Sequence, residues 1–153
     1  MAVVHIKSDL TATAASPASA AVPDPARARG RIVVAAGTVT HSATDTAASI
    51  YHLADIPADA ILDKSTAFKT DTWNMGANVG IGTKTDNDAL FTGAKGAALA
   101  PVAFGDAKHG LPLWQVLGLA AAPESNVIGI YLHGLANATL AGSAKFEIAY
   151  RYH

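Results

Sequence analysis

The side chains able to do chemistry are scattered along this chain, and their spacing decides what they can do. Histidine stands at His5, His41, His52, His109, His133 and His153. No two form a His-x-His pair, and none lie four apart, the helical spacing that turns two ligands to one face. His41 and His52 are placed to meet across a hairpin, as is His133 with a neighbouring strand. A polar strand face nevertheless accounts for them without a metal. Asp86-Asn87-Asp88 opens like a calcium loop but lacks the glycine at the sixth position and the closing glutamate, so a solvated turn is expected. Asp55, Asp59 and Asp63 are four apart in a stretch that reads as turn and strand, where that spacing aligns nothing.

Nucleophile and phosphate motifs fail in the same way. There is no Gly-x-Ser-x-Gly elbow. Gly80-Ile81-Gly82-Thr83-Lys84 has two glycines and a lysine in the spacing of neither a dinucleotide fingerprint nor a phosphate loop. Asn137-Ala138-Thr139 matches the glycosylation triplet, but the charged start of the chain lacks the apolar stretch of a signal peptide. With no cysteine in 153 residues, disulfides, thiol catalysis and cysteine-based zinc sites are excluded. Trp73 and Trp114, with Phe68, Phe91, Phe104 and Phe146, are scarce aromatics in an alanine-rich chain. Core packing is their expected use. These readings predict a protein that is not an enzyme and needs no metal and no cofactor.

The elements that would position these residues come in three zones. Residues 1–10 include a short extended piece in which Val4 and Ile6 alternate with His5 and Lys7. Residues 11–30 are mostly Ala, Ser, Thr and Pro, with Pro17, Pro23 and Pro25 breaking any helix. Together, residues 1–30 read as an extended N-terminal arm or linker ending in Arg27, Arg29 and Arg31. Residues 31–153 read as one domain. Period-two alternation dominates it: Phe146, Ile148, Tyr150 and Tyr152 face one way, Lys145, Glu147 and Arg151 the other. A second such run goes from Trp73 through Met75, Ala77, Val79 and Ile81. Its opposite face is rich in glycine, which predicts bulges, curvature or close packing by another chain.

Further strands are expected at Arg31–Val39, Ser49–Asp55, Ala60–Thr70 and Val127–Leu135, with a turn at Ile56-Pro57-Ala58-Asp59. Leu111–Leu119 predicts one helix of two or three turns with Leu113, Val116 and Leu117 on a shared face. Residues 86–110 read as a long surface excursion. Short strands, turn signals and a lone helix predict an all-β, jelly-roll-like antiparallel sandwich.

Half the residues are apolar, 15% are charged, and the formal net charge is −1. That balance argues against a nucleic-acid surface and offers no polybasic membrane anchor. A core built largely from alanine buries little area per residue, so partner or oligomer contacts are expected to add stability. The arm suits that role. Val3, Val4 and Ile6 form a strand-like hook that can add to a neighbour's sheet, and Arg27, Arg29 and Arg31 can meet acidic patches. The competing reading is that residues 1–25 take no fixed structure.

Arg31-Ile32-Val33-Val34-Ala35-Ala36-Gly37-Thr38 opens the domain, and Ile50-Tyr51-His52-Leu53-Ala54-Asp55-Ile56-Pro57-Ala58-Asp59-Ala60 follows. Then come Asn78-Val79-Gly80-Ile81-Gly82, Pro112-Leu113-Trp114 with Leu117-Gly118, and the closing strands Val127–His133 and Ala144–Tyr152. In these patterns the chain resembles the decoration, or cement, proteins encoded beside the major capsid protein in tailed-phage genomes. The resemblance implies a jelly-roll-like sandwich on the outer surface of the virion, made in the host cytoplasm. It also implies a dimer or trimer whose partner is the major capsid protein. Two rivals remain: a carbohydrate-binding sandwich with Trp73, Trp114 and Tyr131 as its platform, and a tail or baseplate component of the same fold.

Overall fold

Residues 31–96 and 99–151 are described in the computed structural model. The arm expected over residues 1–30, with Val3, Val4, Ile6, Arg27 and Arg29, lies outside them. Eight strands and one helical turn follow in order: β1 Ile32–His41, β2 Ile50–Pro57, β3 Ile61–Leu62, β4 Ala67–Lys69, β5 Asn78–Gly82, β6 Phe91–Ala94, α1 Leu113–Val116, β7 Val127–His133 and β8 Gly142–Arg151. All named pairings are antiparallel.

The pairing is that of a long hairpin rolled up on itself. β1 pairs with β8 and β2 with β7, while β5 and β6 form the hairpin at the fold's tip. Rolling then sets β8 beside β3 and β4, and β7 beside β5. Two sheets result, one ordered β1-β8 with β3 and β4 beyond, the other β2-β7-β5-β6. This is the jelly-roll arrangement, with one strand reduced to a stub: Phe68 and Leu99 exchange reciprocal backbone hydrogen bonds of 3.0 and 2.9 Å.

Leu62, Phe68 and Ile148 from the first sheet meet Ile56, Val79, Ile81, Ile130 and Leu132 from the second in one apolar cluster. The period-two reading of the closing strand holds, since Ala144 and Ile148 are buried while Lys145 and Glu147 are exposed. Ala149 is also buried, although it faces outward. The turn at residues 63–66 covers it: Asp63 N–H and the Thr66 hydroxyl each donate to the Ala149 carbonyl at 2.8 Å.

Four expectations need correction. The strand proposed over Ala60–Thr70 is two short strands, because the Asp63 carboxylate caps a turn through Ser65 N–H and the Ser65 hydroxyl. The run from Trp73 becomes strand only at Asn78, since Gly76 takes a φ of +124° and bends the chain first. The excursion over residues 86–110 contains β6 and the Leu99 stub.

The helix has one turn rather than two or three. Leu113 and Trp114 N–H groups, orphaned at its start, donate to the Ala60 and Ala58 carbonyls of the β2–β3 turn at 2.8 and 3.1 Å. Gly118 ends it at φ +74°. There Gly118 N–H donates to Gln115 O, and Leu119 N–H to Trp114 O, closing a Schellman motif. Leu113, Val116 and Leu117 are buried, as their shared face predicts.

Candidate interaction surface

The fold disperses the residues whose chemistry was in question. His41 is buried edge-on against Trp73 with ring centroids 4.6 Å apart. Its Nε2 accepts from Asn74 N–H, and its Nδ1 lies 3.1 Å from Ser42 O. His52 instead stacks on Tyr131 and reaches Asp55 at 2.9 Å, so the two histidines take separate partners. His133 Nε2 bonds the Thr83 carbonyl at 2.8 Å. Among the described residues, no three His, Asp or Glu side chains gather around a common point.

Trp73 is fully buried between His41 and Tyr51, which removes it from the proposed sugar platform of Trp73, Trp114 and Tyr131. The Tyr51 hydroxyl donates to Asp45 at 2.6 Å. Burial first, and that bond second, push the phenol up to about 12. The same bond, with one from Ser42 N–H, holds Asp45 below the usual carboxylate range.

The glycine-rich face of β5 packs closely, but against this chain's own loop. A Cβ on Gly80 would lie 2.5 Å from the Asn87 carbonyl oxygen, and one on Gly82 would collide with that of Asp86. Within that loop Asp86 N–H donates to Thr83 Oγ1 and Asp88 N–H to Asp86 Oδ1. A hydrogen bond between the two carboxyls lowers the pKa of Asp86 and raises that of Asp88. This is the expected solvated turn, self-bonded and exposed.

What the fold leaves open is an edge. A bare strand edge invites pairing with another chain, and proteins blunt it with charge, proline, bulges, brevity or cover. β2 has a bulge between His52 and Ala54, a hydrogen-bonded polar pair in His52 and Asp55, and Pro57 at its end. β6 is only four residues long. β3 and β4 are short, and bridges from Pro112 and Leu99 lie on them. Among the described residues β1 has none of these devices. It runs ten residues, Ile-Val-Val-Ala-Ala-Gly-Thr-Val-Thr-His, in unbroken register with β8 and with no acid, lysine, arginine or proline. Its first three residues, Ile32, Val33 and Val34, are 51%, 39% and 48% exposed. Arg31, the one candidate contact residue within the described chain, stands exposed just before them.

The outward face beside that edge is shallow and mixed. Thr38, Lys145 and Lys69 form one cross-strand row, and Ala36, Glu147 and Ala67 the next. An open depression of about 510 Å³ lies over the two rows. Lys69 directly opposes Lys145, an arrangement that is unfavourable without a bound acid.

Phe104 departs from the expected use of aromatics, being 82% exposed. It sits on a self-bonded turn: Asp106 N–H donates to Ala103 O, Ala103 N–H donates to Asp106 Oδ2, and Gly105 has φ +92°. Sequence reasoning missed both the edge and this knob, because neither strand order nor loop projection is written in residue type.

No family model matches the chain, and no curated protein does. In structure it is similar to a chain of the cyanophage Pam1 capsid asymmetric unit. The TM-score is 0.51 at 17% sequence identity, covering 92% of this chain and 99% of that one. The likeness is one of fold alone.

Proposed function

We propose that this chain is a structural virion protein that binds the outer surface of a phage capsid and stabilises contacts between major capsid protein subunits. It works by association, without a reaction. The observation that carries the reading is the match in fold to nearly the whole of a chain from a phage capsid asymmetric unit. The β1 edge, bare among the described residues, supports it, since such an edge invites pairing with another chain. In this reading the arm residues Val3, Val4 and Ile6, with Arg27, Arg29 and Arg31, contact the shell, and the protein acts as a small homo-oligomer. Binding across seams that exist only in the expanded lattice favours that lattice by mass action.

The test is co-sedimentation of the full chain with expanded tailed-phage capsids that lack a decoration protein. Saturable binding that raises the capsids' thermal tolerance is expected. A folded protein that fails to bind at micromolar concentration would sink the proposal.

A further inference from the structure

We infer that the β1 edge is the contact between two copies of this chain, which pair β1 to β1 antiparallel about a two-fold axis at Val34. This names the surface behind the oligomer in the reading above and rests on that reading only for there being an oligomer. The capsid plays no part in it.

Among the described residues the β1 edge is unprotected. An isologous contact requires a strand that can pair with its own copy, and an uncharged, unbulged, proline-free strand meets that requirement. β1 is such a strand over ten residues, whereas among the described residues β3, β4 and β6 are four residues or fewer and β2 is bulged and ends in a proline. The register follows from the apolar pattern. Alternation with the inward residues Ala35, Val39 and His41 turns Ile32, Val34 and Ala36 to the outer face. With the axis at Val34, Ile32 of each copy opposes Ala36 of the other, and the two Val34 side chains oppose each other. On the inner face Val33 opposes Ala35. Ile32 and Val33 then meet alanines and Val34 meets its own copy, in cross-strand pairs whose Cβ atoms lie roughly 4.5–5.5 Å apart.

Other registers do worse. An axis at Gly37 would set Val34 against Thr40 and Ile32 against Ser42, leaving the exposed apolar residues beside polar ones. Exposure supports Val34 as well, since the large open side chains of β1 are confined to Ile32, Val33 and Val34. The product is a continuous sheet running β4-β8-β1 in one copy and β1-β8-β4 in the next. A contact of this kind is smaller than the roughly 1,200–2,000 Å² of standard interfaces, so dimerisation at micromolar concentrations is expected.

Sedimentation velocity of the full chain across the micromolar range tests the assembly, and substitutions test the register. The wild-type chain is expected to pass from monomer to dimer. Val34→Lys places two ammonium groups opposite each other and is expected to weaken dimerisation by at least about tenfold, with circular dichroism and melting unchanged. Because the chain has no cysteine, Val34→Cys is expected to give a disulfide-linked dimer on mild oxidation, whereas Thr40→Cys does not.

A chain that stays monomeric, a trimer, or a dimer unaffected by Val34→Lys and not captured by Val34→Cys would overturn the inference. A monomer that still coats capsids would overturn it while leaving the proposed function standing. A Val34-linked dimer that ignores capsids would do the reverse.

Discussion

β1 and β2 begin as equals. Each is an edge strand, each pairs with one neighbour, and the two lead off opposite sheets of the sandwich. They differ in what they do about the open side. β2 breaks register at His52/Ala54, carries His52 and Asp55, and stops at a proline. β1 does none of this over ten residues. One domain therefore contains both a protected and an unprotected edge. The fold thus does not demand an open edge.

The largest test removes what both edges depend on. Trp73 packs edge-on against His41 at the end of β1 and against Tyr51 at the start of β2. Trp73→Ala is expected to cost about 3–5 kcal/mol and to abolish the distinction by unfolding both edges, read by thermal denaturation. Next in size is a transplant. His52→Val with Asp55→Val strips two of β2's devices and is expected to raise self-association roughly tenfold in sedimentation, through a second interface. If association is unchanged, the bulge and Pro57 are sufficient protection.

A pH titration separates the corner from the edges. The Tyr51 phenol is pushed above its ordinary 10.0 to about 12, so the folded state holds that proton more tightly than the unfolded state. Both states are protonated below pH 10, and the unfolded state ionises first above it. Stability is therefore expected to fall between pH 10 and 12, with a smaller fall over that window in Tyr51→Phe, measured by urea denaturation at each pH. The smallest effect is expected of Ala36→Leu, which crowds the position opposite Ile32 in the proposed dimer. It should change domain stability by less than about 0.5 kcal/mol and weaken dimerisation about threefold, corresponding to about 0.7 kcal/mol.

The elements legible in the sequence were those whose burial follows from local alternation. β8 could be read because Ile148 and Lys145 obey one period, and β1, β2 and β7 fell within a few residues of their expected ranges. Elsewhere a long-range contact decided the outcome. The turn that splits β3 from β4 is held by Ala149, more than eighty residues away in sequence. β6 was hidden in an apparent loop because Phe91-Thr92-Gly93-Ala94 acquires its strand character from pairing with β5. The glycine-rich face of β5 leaves bulges, curvature or packing by another chain open in the sequence, and what packs there is this chain's own Asp86, Asn87 and Ala89. The open edge was illegible for the same reason. Ile32–His41 would look identical at the centre of a sheet, and only the absence of a second neighbour among the described residues makes it a surface. Val3, Val4, Ile6, Arg27 and Arg29 lie outside the described residues.

The rolled-hairpin pairing also has a consequence for synthesis. Ile32 finds its partner in Arg151, so the first of the described strands to leave the ribosome must wait for the last of them. At roughly 5–20 residues per second, that delay is on the order of ten seconds. Throughout it Ile32, Val33 and Val34 lack their β8 partners, and nascent chains on neighbouring ribosomes carry the same segment. A strand suited to pairing with its own copy is then most vulnerable to premature pairing before its domain exists. Slow decoding late in the message, just before β8, should lower the yield of folded protein more than an equal delay early in it.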